Sequence, residues 1–377
     1  MSVISEIKNI SQMTLNNHLK QKISNNEKII GYICSYVPEE LIHAAGGVPY
    51  RLRAVESKGT SMGDTYFSSN NCSFARRIMD KALSGDFDFL NGVVFMNGCD
   101  HNRRIYDNWR YSETGKGFNY MLFVPHAKSP ASFDQYFHEL HKLKSFLEEK
   151  METEITPEKL SESTILYNRK RQLLKKISET RVEKTVPLSG TEFLSIMLAV
   201  NVLPVETAID FLEKIIEEIQ NGRVFSKNPA LRIFITGSCV EEISHLELLE
   251  SSDAVVVADS ICFGSRYFEN NVEITDDIFQ SIAQRYLYNI SCPRMMDDYR
   301  GRINYYRDMI SRYSADAVII EKLEFCSMMS GESYICSQEM DRYNIPSITL
   351  TRELYGGGTG QLKTRIQAFY EKVVNLT

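Results

Sequence analysis

Short apolar runs rich in β-branched residues, separated by helix-like segments, recur in two sets along the chain. In the first half they are KIIGYIC (28–34), GVPYRL (47–52), GVVFMN (92–97) and YMLFVP (120–125). In the second they are LRIFITG (231–237), DAVVVAD (253–259), DAVIIEK (316–322) and PSITLT (346–351). Apolar runs of this length predict strands covered on both faces, and strands alternating with helices predict parallel sheets. Between the two sets, residues 131–222 read as mostly helical. PVETAIDFLEKIIEEIQNG enters at Pro204, places Val205, Ala208, Ile209, Leu212, Ile215, Ile216 and Ile219 on one face, and stops near Gly222. VPLSGTEF (186–193) is the clearest local break. The expected architecture is α/β: an N-terminal domain at 1–140, a helical connection at 141–190 and a C-terminal domain at 191–377, each domain built on a parallel sheet of Rossmann or flavodoxin type.

Composition narrows the partners. The chain has 377 residues, 43% hydrophobic and 24% charged, enough for two cores, and its formal charge of -6 argues against a nucleic-acid partner, which would call for a basic face. No apolar run approaches the roughly 18 residues of a membrane span. The first 22 residues lack the apolar core of a signal peptide. We therefore expect a soluble, cytoplasmic protein with no membrane partner. Its eight cysteines are then core residues, metal ligands or redox groups rather than disulfides, and no two form C-x-x-C.

The cysteines recur at one kind of place. Cys99 follows GVVFMNG, Cys239 follows LRIFITGS, Cys262 follows DAVVVADSI, and Cys326 follows DAVIIEKLEF. In open α/β sheets, ligands collect beyond the carboxyl ends of the strands. Cys72, in SSNNCSFARRIMDKALSG, falls at a helix start, where the helix dipole favours thiolate. A single cysteine after a strand is most often a small buried hydrophobe, and Cys34 and Cys336 read that way. Repetition over two domains fits ligands of a cluster in an interdomain cleft better than a compact structural zinc. In PEELIHAAGG, Glu39, Glu40 and His43 open a helix; they are candidates for proton transfer and equally for helix capping. Arg76, Arg77, Arg103 and Arg104 read as surface residues, and YGGGTG (355–360) as a weak phosphate loop without the Gly-Lys-Ser/Thr ending of a nucleotide site.

Five stretches, YICSYVPEELIHAAGGVP (32–49), NNCSFARRIMDKALSG (70–85), NGCDHNRRIYDNW (97–109), VVVADSICFGSRYF (255–268) and FCSMMSGESYICSQEMDRYNIPSITL (325–350), followed by GQLKTRIQAFYE (360–371), resemble the subunits of 2-hydroxyacyl-CoA dehydratases and ATP-dependent benzoyl-CoA reductases. The likeness is greatest to the smaller subunit. It implies an oxygen-sensitive [4Fe-4S] cluster between the domains on three cysteines, matching Cys72, Cys99 and Cys326, with one iron left for another ligand. It further implies one-electron radical chemistry on an acyl-CoA, a larger homologous subunit completing a heterodimer, and an ATP-dependent iron–sulfur activator as electron donor. Cys326-Ser327 stands where the family often has Cys-Asp, and TRELYGGGTG where an acidic residue commonly ends the last strand; both bear on substrate identity. A sister group, the double-cubane reductases, carries an [8Fe-9S] cluster in a single chain on six cysteines. These approximately match Cys72, Cys99, Cys239, Cys262, Cys292 and Cys326, with Cys239 one residue late in TGSC, and Cys262 and Cys292 also fit ordinary dehydratase patterns. A cluster-free structural subunit is the third alternative.

Overall fold

The computed structural model of the chain describes residues 2–115, 117–251, 254–355 and 359–375. It contains two four-stranded, all-parallel sheets. The first is built of β1 (Ile29–Tyr32), β2 (Val48–Arg51), β3 (Gly92–Met96) and β4 (Phe118–Leu122), in the order β2-β1-β3-β4. The second repeats that order with β5 (Leu231–Gly237), β6 (Ala254–Ser260), β7 (Ala317–Leu323) and β8 (Ser347–Arg352), as β6-β5-β7-β8. All eight expected strands form. β3 and β6 are buried along their whole length, as apolar runs between two helical layers should be. β4 stops short of the expected 125 because the Val124 amide turns to the Asn97 side chain at 2.8 Å and Pro125 has no N–H to offer.

The expected helical stretch is four helices, Pro130–Met151, Pro157–Glu179, Gly190–Val200 and Val205–Gln220. Ser129 and Thr156 cap the first two, each followed by proline, and Ser189 forms a reciprocal capping box with Glu192 at the third. Packing crosses the halves. Helix Ile278–Tyr288, from the second half, sets Ile278, Ile282 and Tyr286 against Ile30, Val94 and Tyr136 of the first core. The opening helix Val3–Ser11 buries Ile4, Ile7 and Ile10 against Phe193, Ile196 and Phe211. Among the described residues no helix is long and apolar enough to cross a membrane. The glycine-rich segment 356–358 lies outside the described residues.

Candidate metal centre

In each sheet the first strand is flanked by the second and the third, so the chain reverses direction across the sheet between β1 and β3, and again between β5 and β7. The crevice beyond the carboxyl ends at such a point is where ligands collect. Cys34 lies two residues past β1 and Cys239 two past β5; Cys99 lies three past β3 and Cys326 three past β7. The two sheets thus present thiols from equivalent positions. One cavity of about 110 Å³ lies between them, lined by Cys34, Cys72, Cys99, Cys239, Cys262, Cys292 and Cys326. The structure therefore brings together all six cysteines singled out from the sequence, and adds Cys34, which sequence reading assigned to the core. The signal for Cys34 was its place at a strand end. Its backbone turns left-handed there, at φ 84°, and leaves the strand. Cys336 is buried in a core cluster with Met329, Tyr306 and Met340 and does not line the cavity. All eight thiols are free.

The cavity has two differently built sides. Cys72, Cys99 and Cys326 are each the residue before a helix, at Ser73–Leu83, Asp100–Tyr111 and Ser327–Arg342, so three positive helix ends converge on them. Burial raises the Cys72 thiol, helped by nearby Cys99, while the amides of Ala75 and Phe74 oppose it. Burial pushes Cys99 up to about 12 against the amides of Asn102 and His101. Cys326 is likewise raised by burial and opposed by the amides of Met329 and Met328 and by the Ser238 hydroxyl. His101, two residues past Cys99, links the two segments: its Nδ1 accepts the Cys72 amide at 3.3 Å.

On the other side stand Cys239, Cys262 and Cys292, with Cys34 beside them and three arginines among them. Burial raises Cys292, with Arg266 and Arg294 opposing, and raises Cys239, with Arg51 opposing. Burial and then Cys292 and Cys262 lift Cys34 to about 11. Arg266 Nη1 donates to Cys262 Sγ at 3.7 Å and to the Gly237 carbonyl at 3.2 Å. Arg294 holds the carbonyls of Pro125 and Val124 at 2.7 and 2.8 Å, and Arg51 stacks over Phe263. Glu241, two residues past Cys239, accepts the Ala54 amide at 2.8 Å and is raised to about 7 by burial.

These residues fit a thiolate-bound metal cluster. Arg51 Nη1, Arg266 Nη2 and Arg294 Nε are buried without a hydrogen-bond partner, and among the described residues no aspartate or glutamate lines the cavity. Buried guanidinium charge without a counter-ion is costly, so this lining calls for an anion within it. Among the described residues, no three His, Cys, Asp or Glu side chains are close enough to hold a single metal ion; the thiols surround a space instead of a point. A bound metal would also remove the proton that burial favours on Cys72, Cys99, Cys239, Cys292 and Cys326.

Glu39, Glu40 and His43 do not reach this cavity. Glu39 is buried against the Tyr32 hydroxyl (2.9 Å), the Tyr267 hydroxyl and Lys170 Nζ (3.3 Å). Glu40 is held by Arg171 at 2.7 Å and by the Tyr286 hydroxyl at 2.7 Å. His43 bonds Ser163 Oγ at 3.0 Å and lies 3.6 Å from Glu206. Arg76 pairs with Asp64, Arg103 with Asp100 and Arg104 with Asp107, while Arg77 bonds the Leu354 carbonyl at 2.9 Å.

Fold and cavity together define a twin-sheet α/β protein whose thiols converge on facing sheet switch points. The chain belongs to the 2-hydroxyglutaryl-CoA dehydratase D-component family, which matches residues 34–373. It is 25% identical to a benzoyl-CoA reductase subunit of Thauera aromatica, over 90% of this chain and 88% of that one. It is 22% identical to the (R)-phenyllactyl-CoA dehydratase beta subunit of Clostridium sporogenes, over 94% of each chain. The (R)-2-hydroxyglutaryl-CoA dehydratase beta subunit of Acidaminococcus fermentans is also 22% identical, over 99% of each. These relatives are named as subunits of larger enzymes.

Proposed function

We propose that this chain is the iron–sulfur component of a low-potential enzyme, and that it holds an [8Fe-9S] double cubane through Cys72, Cys99, Cys239, Cys262, Cys292 and Cys326. The observation that carries this reading is the one cavity lined by all six thiols and by three buried arginines that have no carboxylate partner among the described residues. A compact three-thiol site would leave Cys239, Cys262 and Cys292, and the arginines beside them, without a task. When bound, such a group supplies one-electron transfer at low potential. The chain's own residues supply the rest: helix ends and guanidinium groups offset the ligands' negative charge, and the enclosing sheets keep bulk water from the thiols.

The relatives favour a second reading, in which a [4Fe-4S] cluster sits on Cys72, Cys99 and Cys326 and the chain works as a subunit of an acyl-CoA dehydratase or aromatic acyl-CoA reductase. That reading brings a larger homologous subunit, an ATP-dependent iron–sulfur activator and an acyl-CoA substrate.

Iron and acid-labile sulfide, measured with EPR on the full chain purified without oxygen, separate the two. About eight irons per chain, falling when Cys262 or Cys292 is changed to alanine, support the double cubane. About four irons, unaffected by those changes and lost in Cys99→Ala, support the single cubane. A colourless protein that takes up no iron after anaerobic reconstitution refutes both and leaves the structural-subunit alternative.

A further inference from the structure

The two sides of the cavity carry unequal positive charge. Cys72, Cys99 and Cys326 face helix ends, each equivalent to about half an elementary charge. Cys239, Cys262 and Cys292 instead share their side with three whole guanidinium charges, each 4% exposed or less. Among the described residues none of the three forms an ion pair. Two buried carboxylates act on this side without pairing with them: Asp259, which feels the charge of Arg266, turns one oxygen to the Ser265 amide at 2.7 Å, and Glu241, beside Cys239, accepts the Ala54 amide at 2.8 Å. Glu332, near the mouth, is occupied by Arg302 at 2.8 and 2.9 Å.

A second feature sets the same side apart. A polar hollow of about 260 Å³, bordered by Lys128, Glu269, Ser291, Asp298 and Tyr305, ends on Arg266, which thus lines both the hollow and the thiol cavity. Ser291 Oγ, adjacent in sequence to Cys292, is buried there without a partner. The arginine side therefore has a polar approach of its own.

We infer that Arg51, Arg266 and Arg294 polarise the site, so that an iron–sulfur group spanning both triads is easier to reduce on the Cys239–Cys262–Cys292 side and an electron from a one-electron donor comes to rest there. The inference rests on the six-thiol reading above. Its physical basis is that nearby positive charge and hydrogen bonds to cluster sulfur raise a reduction potential, and that a full charge in a water-poor cavity outweighs a helix end. The arginines act here as positioning residues through the group they surround. The polar hollow places solvent, and so protons, on the side where the electron settles.

The test is an EPR-monitored redox titration of the anaerobically reconstituted full chain, with iron counted in the same samples, for wild type, Arg266→Met, Arg266→Lys and Arg51→Met. We expect about eight irons in each. We also expect two resolvable midpoint potentials, the upper of which moves down in Arg266→Met and Arg51→Met, recovers in Arg266→Lys, and leaves the lower in place. Should Arg266→Met fail to fold, Arg51→Met carries the same expectation. Eight irons with both potentials unmoved, or both moved equally, would overturn the polarisation while leaving the six-thiol reading standing. Four irons in the wild type would overturn the six-thiol reading itself.

Discussion

Changing Glu40 to glutamine separates two roles that the sequence left open. In the structure both Glu40 and Arg171 are fully buried, joined at 2.7 Å, with the Tyr286 hydroxyl on the second carboxylate oxygen and Asn168 on the guanidinium. Burial alone would raise the Glu40 carboxyl, but Arg171 and then Arg285 overcome it and hold Glu40 below the ordinary carboxylate range. Glutamine keeps the volume and removes the charge, leaving a buried guanidinium uncompensated, a change that costs about 3–5 kcal/mol. Unfolding entropy of about 2.1 cal/mol/K per residue turns this into a fall in Tm of about 4–6 °C for a chain of this length.

Thermal unfolding followed by circular dichroism reads that fall, with iron content measured on the folded fraction. Arg171→Gln should cost a similar amount, and the double variant less than the sum of the two, because the second change removes a charge the first had stranded. A role in proton transfer predicts the reverse pattern: Glu40→Gln with an unchanged Tm and lost turnover. That result would refute the structural account. The sign with pH is also set. A carboxyl held low stabilises above its unfolded pKa, so the wild-type advantage over Glu40→Gln should be full near neutrality and shrink as pH falls below about 4.

Three further outcomes follow from the site's supports. Gly237, at φ 133°, ends β5 just before Cys239, and an added Cβ would lie 2.0 Å from the Glu321 carbonyl; Gly237→Ala should lower both soluble yield and iron per chain, and normal values for both would refute the strain. Burial opposes ionisation of Glu321, yet His245 and Arg352 hold it down to about 2. Its stabilising contribution is present above the unfolded value of about 4.3 and lost as pH falls toward 2, so Tm measured between pH 5 and 3 should drop more steeply for wild type than for Glu321→Gln. Cys34 is the seventh thiol, outside the proposed ligand set; Cys34→Ala should keep its iron in the same colorimetric assay that shows Cys262→Ala losing it, and iron loss in Cys34→Ala would make Cys34 a ligand.

What the sequence made legible is what depends on neighbours in the chain. Strand runs such as GVVFMN and DAVVVAD announce themselves because both faces of a parallel sheet need apolar cover, and Cys99 and Cys326 follow because a strand end is visible from its own residues. Cys34 was hidden by one boundary, since KIIGYIC reads as strand through residue 34, whereas β1 stops at Tyr32. Cys292 follows no strand; it reaches the cavity because helix Ile278–Tyr288 docks on the opposite sheet, a contact between distant segments. Glu39 and Glu40 were correctly placed at a helix start, yet their function turns on Lys170 and Arg171, each 131 residues away in sequence. The same holds for Arg51, Arg266 and Arg294. Among 43 basic residues, no local pattern distinguishes an arginine that folding will strip of water and leave without a carboxylate. Charge left unpaired is a property of the assembled cavity, and for that reason the cavity's arginines say more about what it is built to hold than the spacing of its cysteines does.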